Sequence, residues 1–345
     1  MASDPEDDGV EEAALARHPR EQTALFGHAA AEQAFVDGIR EGRLHHAWLV
    51  GGPRGIGKAT LAYRVARALL AGGGRDGLAV DPDHRAARQV AALSHPNLAV
   101  LSLEMLEKRR ASIPVDAVRR ALSLFATKAA DAGYRVCIVD SAEDLNVASA
   151  NALLKLVEEP PERSVFLIVS HAPGRVLATI RSRCRKLLLD PLGEADLRAA
   201  IGSLGPPWSE TEEGALADAI AFADGSVRRA LELLDEDKAA VVRQTTALLD
   251  SLPGLDPKRV LAFAESLGRK GAEDSYRLVV DLVLRWASER LREGAALGPA
   301  RLAPLVEACE KVGRSAREVE VYNLDKRPFV LATFGDLAEA VRRTA

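Results

Sequence analysis

Hydrophobic positions in the first half of the chain follow two alternating rhythms. Short unbroken apolar runs, "AWLVGG" (47–52), "YRVCIVD" (134–140) and "SVFLIVS" (164–170), predict buried strands. Between them apolar residues recur at helical spacing. Leu61, Val65 and Leu69 mark one face of "KATLAYRVARALL", and "NVASANALLKLVEE" predicts a second helix that Pro160-Pro161 terminates. "GGGRDG" (72–77) breaks the first of these helices, and Pro173 opens another. Strands separated by helices over short connections predict a parallel sheet covered on both faces. After "KLLLDPLGE" the strand rhythm stops. The remainder reads as helices, with breaks near Gly205-Pro206-Pro207, Gly225, Pro253-Gly254, Gly271 and Gly298-Pro299. The expected organisation is a lead at 1–21, an α/β domain at 22–190, a small helical domain at 191–240 and a larger helical domain at 241–345.

Composition changes this picture little. A chain of 345 residues exceeds what one core usually serves, and 48% hydrophobic with 28% charged residues is ordinary for a globular protein. The formal net charge of −4 gives no global basic field, so any nucleic-acid contact must be local or shared with partner chains. No apolar run approaches the ~20 residues that span a bilayer. The first residues, "MASDPEDDGVEEAALARHPR", open acidic and lack the basic-then-apolar order of a signal peptide. The expectation is a cytoplasmic protein without membrane contact, led by a disordered segment. Cys137, Cys184 and Cys309 stand far apart, offering neither a disulfide framework nor a C-x-x-C pair, so they read as mostly buried thiols in a reducing compartment.

Candidate chemistry begins where the first strand meets its helix. In "GGPRGIGKAT" (51–60), Gly52, Gly55, Gly57 and Lys58 have the composition and spacing of a phosphate-binding loop. Backbone N–H groups of such a loop face phosphate oxygens, and the lysine adds a point charge. The next position, which normally carries the hydroxyl that holds magnesium, is Ala59. Thr60 lies one residue further, about 100° around a helix, and is expected to point away from the metal site. Asp140 ends a buried strand, well placed to hold metal-bound water. The following position, where a glutamate would activate the attacking water, is Ser141, and its hydroxyl is a poor general base. Glu143 and Asp144 follow; a solvated helix start is the plainer reading of that pair. Two catalytic elements are therefore missing together, which predicts nucleotide binding without hydrolysis.

The run N-A-L-L-K-x-x-E-E-P-P, followed by a strand and then S-R-C, in "SANALLKLVEEPPERSVFLIVSHAPGRVLATIRSRCRKL" (149–187) resembles the bacterial clamp-loader subunits of the AAA+ superfamily. "GRLHHAWLVGGPRGIGKATLA" and "LDKRPFVLATF" extend the resemblance over about residues 22–343. It implies an α/β P-loop NTPase (AAA+) domain with a parallel sheet, a small helical lid and an all-α collar that oligomerises. It also implies a hetero-pentamer with gamma/tau and delta subunits that opens a sliding clamp and places it on primed DNA of the DNA polymerase III system. By this resemblance Arg183 in "RSRCRK" is an arginine finger lent to a neighbouring subunit; from spacing alone, a solvated basic helix end with Arg181 and Arg185 is the plainer reading. Arg228 in "GSVRRAL" matches a lid arginine that either reads a terminal phosphate or fastens lid to core. Ser170 matches a position whose polar side chain touches phosphate, and a polar strand end is its alternative. Cys184 reads as a small buried residue rather than a nucleophile.

Many clamp-loader subunits carry a four-cysteine zinc module after the P-loop helix. The corresponding stretch here has no cysteine, and His84 and His95 alone cannot build a tetrahedral site, so no zinc is expected and the fold of 72–98 is left open. His45 and His46 read as packing or capping residues. The expected function is a non-hydrolysing stator whose cradle can hold ATP. The alternatives are an ATP-hydrolysing gamma/tau-type motor, which needs the hydroxyl and carboxylate missing at Ala59 and Ser141, and a small-metabolite kinase, for which the second half offers no catalytic constellation.

Overall fold

The computed structural model describes residues 18–103, 112–126, 133–269, 271–294, 298–322 and 324–344. The chain divides into two compact units, Met1–Leu231 and Glu232–Ala345.

The first unit is built on five parallel strands: β1 (Ala47–Gly51), β2 (Leu98–Leu101), β3 (Arg135–Val139), β4 (Ser164–Ser170) and β5 (Arg185–Leu188). Their order across the sheet is β2-β3-β4-β1-β5. Side chains of a strand alternate between faces, so β1 sends Trp48 and Val50 to one core and Ala47 and Leu49 to the other. Val136 and Ile138 of β3 join the first core, and Cys137 and Val139 join the second. Burial of both faces is why these strands appear in the sequence as unbroken apolar runs. Helices α1 (Ala29–Arg40) and α2 (Lys58–Leu70) cover the first face; α4 (Val115–Ala126) and α5 (Val147–Glu158) cover the second. Leu61, Val65 and Leu69 are buried, as their spacing predicts.

The stretch 72–98 holds a short helix, α3 (Arg85–Ala91). His84 caps it by accepting the Ala86 N–H at 3.2 Å, and His95 Nδ1 accepts the Asn97 N–H at 3.1 Å. Both histidines therefore serve the backbone of this segment. Among the described residues no cluster of three or more His, Cys, Asp or Glu could hold a metal ion.

Residues 18–21, which sequence reading assigns to the lead, are packed against α2. The Arg67 guanidinium donates to the carbonyls of Arg20 (2.8 Å) and Gln22, and the ring of His18 meets Tyr63 edge-on. Residues 1–17 lie outside the described residues.

α6 (Ala178–Arg181) stands between β4 and β5, and beyond the sheet come α7 (Glu194–Gly202), α8 (Glu213–Phe222) and α9 (Val227–Leu233). The first unit continues through Leu231 and includes the short helices after residue 191. The second contains α10 (Glu236–Asp250), α11 (Pro257–Leu267), α12 (Glu273–Glu293), α13 (Pro299–Tyr322) and α14 (Lys326–Thr344), around a core that includes Leu248, Phe263, Tyr276 and Phe334. The boundary expected at 240 falls inside α10. That helix starts at its Asp235 cap, whose carboxylate accepts the Lys238 N–H at 3.1 Å, and runs on without a break. The two compact units divide at 231/232, within α9.

Candidate functional site

The phosphate-type loop leaves the C-terminal end of β1 and feeds α2. Gly52 and Gly55 have φ of +143° and +73°, a region L side chains rarely adopt, and neither has room for a Cβ. At Gly52 it would sit 2.5 Å from the Leu189 carbonyl oxygen; at Gly55, 2.2 Å from Ser226 Oγ. Gly57, with φ +100°, precedes α2 and supplies no side-chain cap to the first N–H groups of that helix. His28 is buried beneath, its Nε2 donating to the Ile56 carbonyl at 2.7 Å.

Lys58 is only 3% exposed and donates from Nζ to the Pro53 carbonyl. Burial lowers its pKa to about 8; the carboxylates of Glu143 and Asp140 oppose the fall, and Arg54 adds to it. Lys58, Asp140 and Glu143 thus share one electrostatic neighbourhood. Ala59 and Thr60 occupy the first turn of α2. Ala59 has no side-chain oxygen to offer a metal, so the loop suits a phosphate but lacks the usual magnesium ligand.

Sequence reasoning misjudged Glu143. It does stand at the start of a short helical turn, but it is half-buried rather than freely solvated. Asp140 follows β3, and Ser141 then takes φ +71°, turning the chain into a 3₁₀ turn over Ala142–Asp144. That turn brings the half-buried Glu143 back to the end of β4. Its Oε1 accepts the Ser170 hydroxyl at 2.5 Å and the Ala172 N–H at 2.7 Å, and Oε2 accepts the Ser141 hydroxyl at 3.3 Å. Burial alone would raise its pKa, but the bonds from Ser170 and Ala172, with His171 nearby, hold it below the ordinary value. Ser170 is fully buried and in register with Gly51, the residue that opens the loop.

His171, also missed, belongs to the same cluster. Burial and then the cations Lys58, Arg54 and Arg228 lower its pKa to about 4 against the pull of Glu143, so the imidazole is neutral at pH 7. Among the described residues its buried Nδ1 has no hydrogen-bond partner. A lone histidine after a strand carries no sequence signal of this kind.

Arg228 arrives from the segment preceding and opening α9. The Val227 N–H donates to the Gly55 carbonyl at 2.9 Å, and the Leu192 N–H to that of Gly225 at 3.1 Å. Ser226 caps α9 by accepting the Arg229 N–H at 3.2 Å. This segment is therefore bonded directly to the loop.

Arg183 is elsewhere. It lies between α6 and β5, and β5 pairs its first residue, Arg185, with Trp48 near the start of β1. In a parallel sheet this is the end opposite the loop. The Arg183 side chain, 40% exposed, pairs through Nη2 with Glu158 at 2.7 Å; Nη1 donates to the Thr179 carbonyl at 3.1 Å and to Ser182 Oγ at 3.2 Å. Its neighbours are engaged differently, Arg181 on the Gly174 carbonyl at 3.1 Å and Arg185 over the Trp48 ring at 4.8 Å. Arg183 and Arg185 are exposed, and the hydrogen bonds of Arg181 and Arg183 lie at the surface. Burial pushes the Cys184 and Cys137 thiols up to about 12, which leaves them without nucleophilic character. His45 and His46 stack at 4.4 Å, and His46 Nε2 donates to the Val157 carbonyl at 3.0 Å.

A parallel sheet with a glycine loop, lysine and helix at its first strand, followed by short helices, defines a P-loop α/β protein. A family profile described as "DNA polymerase III, delta subunit" matches residues 27–193. The DNA polymerase III subunit delta' of Pseudomonas aeruginosa is 36% identical over 212 residues, 59% of this chain and 61% of that one. That of Escherichia coli is 34% identical over 232 residues, 67% of each chain. DNA polymerase III subunit gamma of Buchnera aphidicola from Acyrthosiphon pisum is 32% identical over 213 residues, 61% of this chain and 57% of that one. The chain belongs to the DNA polymerase III delta' family. The match spans about three fifths of the Pseudomonas and Buchnera relatives. No helix among the described residues is long and apolar enough to cross a membrane.

Proposed function

We propose that this chain is the stator of a DNA polymerase III clamp loader, assembled with gamma/tau and delta subunits to place a sliding clamp on primed DNA. It holds nucleotide without turning it over, and it contributes Arg183 to the site of a neighbouring subunit. It would thus be a subunit of a DNA-directed DNA polymerase holoenzyme without ATPase activity of its own. One observation carries this reading: Arg183 and the chain's own cradle stand at opposite ends of one sheet. Four residues of β1 pair with β5 between them, roughly 10 Å of strand at ~3.3 Å per residue. An arginine so placed cannot serve the loop of its own chain, and it suits a triphosphate presented by another. Its guanidinium is a permanently charged fork fitted to phosphate. Ala59 and Ser141 supply neither the metal-holding hydroxyl nor the carboxylate base that turnover requires.

The identity to a gamma subunit favours a second reading, an ATP-hydrolysing motor. Turnover separates the two. Purified alone, the chain is expected to hydrolyse ATP no faster than buffer; a rate typical of a motor subunit would overturn the stator. Arg183→Ala should fold normally and depress hydrolysis by the reconstituted loader, since such an arginine contributes on the order of 10³–10⁵ in turnover at the site it serves. Full clamp- and DNA-stimulated activity in that variant would remove Arg183 from the role.

A further inference from the structure

The polar groups beyond the loop already have an anion. Ser170 Oγ and the Ala172 N–H both donate to Glu143 Oε1, and Ser141 Oγ donates to Oε2. The groups line the end of β4, where Ser170 is in register with the residue that opens the loop. Lys58 and His171 both feel the Glu143 charge, so the carboxylate lies within the field of the cradle lysine. The unusual φ of Ser141 (+71°) is what brings the carboxylate there.

We propose that Glu143 is a built-in counter-anion at the far end of the cradle, so that the loop accepts a nucleoside diphosphate and disfavours a triphosphate. The proposal rests on the reading of residues 52–58 as the phosphate loop and names the ligand class that loop takes. A diphosphate held by the loop amides and Lys58 leaves the end of β4 undisturbed. A third phosphate reaching past Lys58 meets donors already engaged, and an ionised carboxylate among them. Like charges at short range in a partly buried site repel, and the Ser170 hydroxyl and Ala172 N–H, which could otherwise compensate, are already engaged by Glu143. The acid absent from position 141 thus reappears two residues later in a different role.

The test uses the full chain with fluorescent mant-ADP and mant-ATP, with and without magnesium, for the wild type, Glu143→Gln and Glu143→Ala. Glu143→Gln retains the size and an acceptor oxygen, so it stays informative if the alanine variant folds poorly; circular dichroism checks both. The wild type is expected to bind the diphosphate at least about tenfold more tightly than the triphosphate. Glu143→Gln should narrow that ratio and Glu143→Ala abolish it through a gain in triphosphate affinity, with diphosphate affinity within about threefold. Adding Lys58→Ala to Glu143→Ala should remove both ligands, assigning the binding to this loop. A wild type that binds neither nucleotide would overturn the proposal, as would equal affinities in the wild type, a preference for triphosphate, or a ratio that survives in Glu143→Ala. None of these measurements reads turnover or Arg183, so the absence of hydrolysis and the role of Arg183 stand or fall separately.

Discussion

At the scale of single residues, burial withdraws His171 from water while Lys58, Arg54 and Arg228 add positive potential, and the imidazole pKa falls from 6.5 to about 4 despite Glu143. The unfolded chain then takes up a proton between pH 6.5 and 4 that the folded chain refuses. Stability from this group is complete above pH 6.5 and is lost as the pH falls toward 4. The shift corresponds at most to about 3 kcal/mol, and the partial exposure of the ring reduces that to about 1–2. Urea unfolding at pH 7 and pH 5 should therefore show a smaller acid loss in His171→Gln than in the wild type, by about 1 kcal/mol. Equal acid sensitivity would mean that the ring is protonated in the folded chain. The loop residues around this histidine were legible because a glycine loop announces itself by composition and spacing. His171 and Glu143 were not, since their roles depend on Ser141 adopting a backbone conformation that a serine does not signal.

At the scale of elements, α5 connects the two halves of the site region: it begins just after the Glu143 turn and ends at Glu158, the partner of Arg183. Its start is fixed by Asn146. The Asn146 side chain accepts the Ser149 N–H at 2.9 Å, while the fully buried Ser149 hydroxyl donates to the Ile113 carbonyl at 2.6 Å. A cap of this kind contributes about 1 kcal/mol, so Asn146→Ala should lower the urea-derived stability by about that amount, and Asn146→Asp by less. If the alanine variant unfolds at the wild-type midpoint with an unchanged slope, the cap contributes nothing. The helix itself was readable from its period and its closing prolines, as β1, β3 and β4 were from their apolar runs. β2 was harder: its apolar run, Leu98–Leu101, is only four residues long, and only Ala99 and Leu101 of it are buried. β5 sits at the edge of the sheet, paired only with β1 and largely exposed, which leaves Arg185 and Lys186 inside a strand.

At the scale of the whole molecule, the sheet of the first unit keeps two groups of residues apart: the glycine loop with Lys58 at the C-terminal ends of its strands, and Arg183, paired with Glu158, at the other. That separation was invisible in the sequence, where "GGPRGIGKAT" and "RSRCRK" are simply distant motifs, because only strand register assigns them to opposite ends. The second unit has a different character. Its core runs from Leu248 to Ala340 and includes Phe263, Phe334, Tyr276 and Phe329, with rings of the first two meeting at 6.2 Å and of the last two at 5.2 Å. A self-contained core of this kind, with α10 starting at its own aspartate cap, is what independent folding requires. A fragment from Asp235 to the end of the chain is therefore expected to be helical by circular dichroism and to melt in one cooperative transition. A gradual, non-cooperative melt, or a fragment that binds hydrophobic dyes as an open core does, would show that the second unit draws its order from the first.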